Sequence, residues 1–306
     1  MLRTRTLITG ANGLLGQTLV RRLRPSDDHD VLATARDEAP RFDVPCEYAQ
    51  LDVTTPDEVN AVLGDYDPDV VVNCAAVSDV TECDEDRNRA WAVNARAVRT
   101  LAKQCRTTDA RLVQLSTDFV FNGKRGPYEE DARPDPVNYY GRTKLAGENA
   151  LREFDFLDWA IVRTVLLYGT AKDLNRTNVV LWMIDELSQG DPIQVVNDQW
   201  RTPTYAPDLA GGIVRLIDRE RTGIYHLSGR EMVTIHELAQ TVATVFDFDD
   251  ALIDPVPSDH FADAVDRPPK TGFIILKAET ELGYDPHALE DGLRAVGQNL
   301  GLSPTS

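Results

Sequence analysis

Along the first 165 residues, short uniformly apolar runs alternate with stretches whose apolar positions recur at helical spacing. The apolar runs are RTLITG (5–10), DVLATA (30–35), DVVVNCAA (69–76), ARLVQLS (110–116) and WAIVRTVLLYG (159–169). Helical spacing predicts helices at about 13–24, 56–63, 86–106 and 140–154. Strands that are apolar throughout, rather than alternating, belong to a sheet covered on both faces, and the intervening helices supply the cover. Right-handed crossovers then wind the chain to both sides of the first strand. The expected fold is α/β, a doubly wound parallel sheet of Rossmann type.

After residue 169 the regular alternation fades. A helix is predicted at about 176–189, and 192–210 reads as an extended segment returning to a helix. GIYHLS (223–228) has the character of one more sheet strand. In TIHELAQTVATVF (234–246), Thr234 and Glu237 have capping-box spacing, which makes His236 a solvated helix residue rather than a ligand. The predicted division is a dinucleotide-binding domain of residues 1–168 plus about 205–228. About 169–204 plus 229–306 then form a smaller C-terminal substrate-binding lobe.

The first strand runs into LITGANGLLG (7–16), where Gly10, Gly13 and Gly16 follow the strand and open a helix. In that context the glycines let the backbone approach a pyrophosphate at a helix N-terminus, so Gly10, Asn12, Gly13, Leu14, Leu15 and Gly16 are candidate cofactor contacts. The end of the second strand bears on which nicotinamide cofactor binds. An acid there would bond the ribose 2′-hydroxyl and repel a 2′-phosphate. The strand ends instead on Ala35-Arg36, and Arg36 suits a phosphate, so NADP (as NADPH) is preferred. Asp37 and Glu38, one or two residues later, leave NAD open.

Charge changes the picture of partners and surroundings. Asp and Glu number 50 against 32 Lys and Arg, a net charge of −18, and only six of the basic residues are lysine. Such a field repels nucleic acid and anionic membranes, and both are excluded as partners. Abundant acid with scarce lysine resembles cytoplasmic proteins of salt-loving microbes, where concentrated ions screen self-repulsion. No run approaches the roughly 18 apolar residues of a membrane span, and MLRTRTLITG lacks the apolar core of a signal peptide. Cys46, Cys74, Cys83 and Cys105 form no C-x-x-C pair and read as free thiols of a cytoplasmic protein. His29, His226, His260 and His287 are scattered without metal-ligand spacing, and CDEDRNR (83–89) reads as a solvated acidic helix start, so no metal is expected. Trp200 is a tryptophan that could touch a ligand.

The chemistry lies in two blocks. LSTDFVFNG (115–123) follows the ARLVQLS strand, and the C-terminal ends of strands are where open α/β sheets place their sites. NYYGRTKLAGE (138–148) carries two tyrosines and a lysine. Lys144 is four residues after Tyr140 and five after Tyr139, so on a helix only Tyr140 shares its face.

With Thr117, Tyr140 and Lys144 in this order, the chain resembles the extended short-chain dehydrogenase/reductase family. VVNCAAVSDVTECD (71–84), STDFVFNG, YEEDARPDPVNYYGRTKLAGE (128–148), VVNDQWRTPTYAPDLA (195–210) and RPPKTGFIILKAETELG (267–283) narrow the resemblance to the dTDP-4-dehydrorhamnose reductases. That resemblance implies a nucleotide-diphosphate sugar substrate, the dTDP-rhamnose pathway and a soluble protein that can form a homodimer. It makes Tyr140 the acid–base catalyst. Lys144 would stabilise tyrosinate and hold cofactor ribose, and together with oxidised nicotinamide it would lower the phenol's pKa. Thr117 would bond the substrate oxygen, with Tyr139 packing or lining the pocket. By similarity Ala75 and Ala76 lie along the cofactor, Asp52 and Val53 near adenine, and Asn94 supports a water chain to the lysine. Ser78, Val80, Asp118, Phe119, Asn178, Arg201 and Arg267 are the implied substrate contacts.

Two departures fall at the expected sugar pocket. Leu166 stands where those reductases show tryptophan, and Arg201 stands where they show glycine. A polyanionic substrate also requires local positive charge in so acidic a protein, and Lys172, Arg176, Arg201 and Arg267 are expected to converge on one groove between the lobes. Related enzymes with the same triad epimerise or dehydrate nucleotide sugars. Dehydratases carry Thr-Asp-Glu where this chain has Thr117-Asp118-Phe119, and a phenyl ring abstracts no proton. NAD-dependent epimerases carry an acid at the end of the second strand. Simple reduction at C4 is therefore the expected reaction. The alternatives are an NAD-dependent nucleotide-sugar 4-epimerase or dehydratase, and a non-catalytic regulatory subunit of the methionine adenosyltransferase type.

Overall fold

A computed structural model describes residues 3–24, 26–261 and 265–302. Its centre is a seven-stranded sheet built from Thr4–Thr9 (β1), His29–Ala35 (β2), Glu47–Gln50 (β3), Val70–Asn73 (β4), Arg111–Thr117 (β5), Trp159–Thr164 (β6) and Gly223–His226 (β7). The spatial order is β7-β6-β5-β4-β1-β2-β3, and every pairing is parallel. The chain thus winds outward from β1 to β3, then returns to pair β4 on the other side of β1. That reversal opens a crevice between the ends of β1 and β4, the place where this fold class holds its ligands.

Helices cover both faces because the strands are apolar on both. On one face, Leu14–Leu23 (α1), Ala206–Asp218 (α8) and Leu276–Leu282 (α10) bury Leu19, Leu209, Ile213 and Leu282 against Ile8, Val72 and Val162. On the other, Pro56–Tyr66 (α2) and Ala97–Thr108 (α5) bury Val59, Leu63, Val98 and Leu101 against Leu7, Val71 and Leu112. Val80–Glu85 (α3), Arg87–Trp91 (α4) and Tyr139–Arg152 (α6) complete the helices around the strand ends. A third core lies apart from the sheet. Val179–Gln189 (α7), Ile235–Phe246 (α9) and Leu289–Leu300 (α11) enclose Met183, Leu238, Val242 and Leu293. Short strand pairs run through this region, Ile193–Val196 with Ile253–Val256 and Trp200–Arg201 with Val233–Thr234. Residues 273–284, within the span assigned from sequence to the substrate lobe, pack Phe273, Ile275 and Tyr284 into the first sheet-face core.

The capping box at α9 forms, with the Thr234 hydroxyl accepting from Glu237 N and the Glu237 carboxylate accepting from Thr234 N. Helices α3, α10 and α11 were not anticipated, and three features of the sheet and its surroundings also differ from expectation. β3 was not anticipated, because EYAQ is a half-exposed edge strand with little apolar signal. The helix expected over 86–106 is divided among α4, a π-helical turn at Ala92–Arg96 and α5. The strand expected over 159–169 stops at Thr164 and resumes only at Leu167–Tyr168, because Leu166 turns into the left-handed region at φ 39°. No helix among the described residues is long and apolar enough to cross a membrane.

Candidate active site

The glycine loop fills the crevice between β1 and β4. Gly10 has φ 64°, and a Cβ there would lie 2.7 Å from the Ala75 backbone nitrogen. Gly16 is equally confined, since its Cβ would collide with the Gly10 carbonyl oxygen. Both are demanded by packing alone. Gly13 is not: a Cβ there meets only the Gly10 carbonyl oxygen, at 3.4 Å. Gly13 is also the N-cap of α1 and offers no side chain to the first-turn N–H groups. An uncapped helix start behind an unnecessary glycine is a cradle for an anion, which fits the pyrophosphate of a dinucleotide.

Asn12, a candidate cofactor contact, has its side chain engaged within the protein. Its amide donates to the Asp37 carboxylate at 2.9 Å and to Ala39 O at 3.1 Å, and its Oδ1 accepts from Arg41 N at 3.0 Å. It staples the loop to the segment after β2. Arg41 pairs with the same Asp37 carboxylate at 2.9 Å. Asp37 is thus held by Asn12 and Arg41, whereas the Arg36 guanidinium makes no ion pair among the described residues. Arg36 and Asp52 line an open cavity of about 450 Å³ together with Gln50, Thr55 and Glu58. Val53 is buried in the second sheet-face core, Ala75 is half-buried and Ala76 is exposed along the β4 end.

Thr117 ends β5, and α6 begins across from it. Asn138 caps α6 by accepting from Gly141 N at 2.9 Å, and its amide donates to Asp266 O at 2.8 Å. Gly141 is required because a Cβ would strike the Phe119 carbonyl. The helix is thereby pressed against the β5 end, and Tyr140 comes within hydrogen-bonding reach of the Thr117 hydroxyl. Lys144 lies one turn along the same face, buried, and donates to Leu115 O at 2.7 Å. Tyr139 faces away. Its ring lies beneath the Arg87 guanidinium, and its hydroxyl donates to Arg87 O at 3.3 Å.

The protein's own groups do not lower the phenol's pKa. Burial pushes the Tyr140 phenol above its ordinary range, the nearby Asp118 charge adds to that, and only the Thr117 hydroxyl opposes it. The anticipated lowering needs the positive charge of oxidised nicotinamide, which the protein alone does not supply. A phenol that keeps its proton is suited to act as an acid. Burial pushes the Lys144 ammonium down to about 8, with Glu148 working in the opposite direction.

Beyond Tyr140 the site continues through Phe119, whose ring meets that of Tyr140 edge-on at 5.9 Å. The Arg201 guanidinium lies over the other side of Phe119 at 5.4 Å, and its Nε is 3.8 Å from the Asp118 carboxylate. Arg201 is buried and also donates to Trp200 O at 2.8 Å and to Gln199 Oε1 at 3.1 Å. Asp118 is further held by the hydroxyls of Thr117 and Thr271. Burial pushes its carboxyl upward in spite of Arg201. Arg176 forms an ion pair with Asp79, and Arg267 lies within electrostatic reach of both. The four expected cations therefore do not all converge. Arg176 and Arg267 share Asp79 and Arg201 is in reach of Arg267, but Lys172 is elsewhere, pinned through its backbone to Gln17 and paired with Asp43 at 2.7 Å.

The sequence pattern of the RmlD substrate binding domain family matches residues 4–301. The chain belongs to this family. It is 35% identical over 291 residues to "Probable low-salt glycan biosynthesis reductase Agl14" of Haloferax volcanii, covering 94% of this chain and 96% of that one. It is 37% identical over 265 residues, 86% of each chain, to dTDP-4-keto-6-deoxy-D-glucose reductase of Streptomyces niveus. A crystal structure of dTDP-4-dehydrorhamnose reductase from Bacillus anthracis in complex with NADP matches with TM-score 0.86 at 31% identity, over 97% of this chain and all of that one.

Other positions that the family resemblance implied take varied places. Ser78 is exposed beside the crevice, while Val80 is buried as the first residue of α3. Asn178 caps α7 and donates to Gly169 O at 2.9 Å, which commits its amide to structure. Asn94 sits in the π-helical turn, buried, where its side chain bonds Val77 N, Val77 O and the Thr143 hydroxyl. It joins the loop after β4 to α6. Trp200 is about one-third exposed and donates its backbone N–H to Pro269 O at 2.7 Å. Sequence reasoning missed the buried Glu148–Arg163 pair behind Lys144. Glu148, on α6, stood within a quoted motif, but its partner Arg163 lies on β6.

Proposed function

We propose that the chain reduces the C4 carbonyl of a nucleotide-linked 4-keto-6-deoxy sugar with NADPH. The observation that carries this reading is the meeting of Thr117, Tyr140 and Lys144 beside the glycine loop, with Phe119 where dehydration would need an acid. NADPH, when bound, supplies the hydride. The glycine loop would hold its pyrophosphate at the start of α1, and Arg36, with no carboxylate partner among the described residues, would take the 2′-phosphate. Asp37 is already engaged by Asn12 and Arg41, which argues against its serving as the ribose-binding acid of an NAD enzyme.

Tyr140 gives its proton to the carbonyl oxygen, the Thr117 hydroxyl orients that oxygen, and the Lys144 ammonium supports the tyrosinate left behind. Arg176 and Arg267, which gather around Asp79, would meet the diphosphate, displacing that carboxylate. Arg201 and Phe119 shape the sugar end, so this pocket differs from one built around glycine and tryptophan. In this reading the sheet with its helices is the dinucleotide-binding domain and the α7–α9–α11 core the substrate lobe. The acidic surface suits a cytoplasm rich in salt. Cofactor titration by fluorescence, followed by a screen of nucleotide 4-keto-6-deoxy sugars, tests the proposal. Tighter binding of NADPH than NADH, and loss of nicotinamide absorbance with a 4-keto sugar, are expected. Tighter NADH binding would overturn the cofactor preference, and no turnover with any such sugar would overturn the reaction.

A further inference from the structure

Behind Lys144, away from the crevice, lies a buried charged cluster that the reaction as described does not use. Glu148 is one turn further along α6, with no exposed surface, and Arg163 on β6 is 1% exposed. Arg163 grips the carboxylate with two bonds, Nε to Oε1 at 2.8 Å and Nη2 to Oε2 at 2.7 Å. Ser116, the register partner of Arg163 across β5 and β6, adds a 2.6 Å bond to Oε1. The third guanidinium nitrogen points to Glu130 O and His226 Nε2, both at 3.4 Å. His226 donates from Nδ1 to Tyr128 O, leaving Nε2 to accept, which requires a neutral ring beside the guanidinium.

Charge is counted readily here. The titratable side chains that act on Lys144 are Glu148 on its own helix, Cys74 after β4 and Cys83 on α3, and Tyr140 shares its helix face one turn before it. Burial pushes both thiols up to about 12, so they are neutral. Glu148 is therefore the anion that faces two buried cations, Lys144 and Arg163, with Arg152 approaching from the surface at 3.8 Å. Residues at i and i+4 on a helix are natural salt-bridge partners, yet no Lys144–Glu148 ion pair forms within 4.0 Å among the described residues. Both carboxylate oxygens are turned to Arg163 instead.

We propose that Arg163 is a positioning residue: by holding both oxygens of Glu148, it keeps that carboxylate from capturing the Lys144 ammonium, which stays charged but unpaired for Tyr140 and the cofactor. The proposal rests on the roles assigned to Lys144 and Tyr140 above. Glu148 supplies a field that favours the charged lysine, and Arg163 prevents the field from becoming a bond. With Arg163 removed, the carboxylate keeps two cations on its own helix, Arg152 at the surface one turn after it and the buried Lys144 one turn before it, and Lys144 would swing toward it and away from Tyr140.

The protein has six lysines, so lysine-selective ¹³Cε NMR of the cofactor-free protein can follow Lys144 directly, its signal assigned by loss in Lys144→Arg. The expected midpoint is about 8 in the parent protein. Glu148→Gln should lower it by about one pH unit or more. Arg163→Gln should raise it above the parent value and weaken NADPH binding by about tenfold or more, the loss of one charge-assisted hydrogen bond. Adding Glu148→Gln to Arg163→Gln should restore much of that affinity. An unchanged Lys144 midpoint in either single variant, or a double variant no better than Arg163→Gln, would overturn the proposal. Should Arg163→Gln not fold, Arg163→Lys, which keeps the charge but not the two-pronged grip, should still raise the midpoint, and an unmoved midpoint there counts equally against it. The lysine titration needs neither cofactor nor sugar, so a failed reductase assignment would leave it intact.

Discussion

Tyr139 and Tyr140 are adjacent in the chain and opposite in circumstance. One lies under Arg87 at the rim, and the other is turned to Thr117 and shares a helix face with Lys144. Tyr140→Phe removes the proton donor and should lower turnover of a 4-keto sugar by roughly 10²–10⁴-fold. Tyr139→Phe loses only a bond to a backbone carbonyl and should stay within a few-fold of the parent. Steady-state rates of the two variants check this, and a dead Tyr139→Phe beside a working Tyr140→Phe would reverse the assignment. The pH profile follows from the neighbouring lysine. Its folded-state pKa is depressed to about 8, so the charged form exists below that value and is lost above it. Since kcat/KM reports the free enzyme, it should be level below about pH 8 and fall above, while the phenol, pushed upward, keeps its proton throughout. Lys144→Met should abolish that alkaline limb along with most of the rate. These residues were legible because a fixed spacing on one helix decides which tyrosine meets the lysine. Arg163 and Thr271 were not, since their contacts to Glu148 and Asp118 join segments far apart in sequence.

At the scale of elements, the glycine loop separates what folding needs from what a ligand needs. Gly10→Ala would place a methyl against the Ala75 backbone at a φ that L-residues resist. It should lower the melting temperature sharply or prevent folding. Gly13→Ala meets nothing closer than ordinary contact and should fold with a near-parent melting temperature, yet lose NADPH affinity because the methyl occupies the cradle. Thermal melts and fluorescence titrations on the two proteins distinguish the roles. If Gly13→Ala binds NADPH as tightly as the parent, the loop is only a turn. Most strands and helices of the sheet were legible because their apolar patterns are long and unbroken. β3 escaped because an edge strand of four residues buries little. The break in β6 escaped because nothing in VRTVLLYG announces that Leu166 will adopt φ 39°. The π-helical turn escaped too. It accommodates Asn94 and the close approach of α6, where a Cβ on Gly147 would hit the Asn94 carbonyl, and only the packed structure reveals that need.

For the whole molecule, the net charge of −18 is a standing repulsion that stability must exceed. Ion pairs such as Arg99–Glu153, Arg230–Glu279 and Arg294–Glu290 take up a minority of the basic residues and fewer still of the carboxylates among the described residues. Salt screens that repulsion over a Debye length of about 3 Å at 1 M against about 10 Å at 0.1 M. The melting temperature should therefore rise as KCl is raised from about 0.1 M to 1 M, although the exposed pairs themselves weaken. Calorimetry or circular dichroism across that range checks it, and a flat or falling trend would mean the acidic surface carries no net strain. This property was legible from composition alone, whereas the way the chain crosses between its cores was not.

The seventh strand makes that crossing consequential. β7 pairs with β6 only after the chain has left the sheet, built α7 and its neighbouring strands, and returned through α8. While the polypeptide emerges from the ribosome, the β6 edge stays open until residue 226 has been made, exposing unpaired N–H and C=O groups of an apolar strand. Local helices can form early, but closing this edge requires contacts of long sequence separation, the slow kind. Nascent chains ending anywhere between 169 and 222 are thus the aggregation-prone window of biosynthesis. The two cores are tied together in time as well as in space.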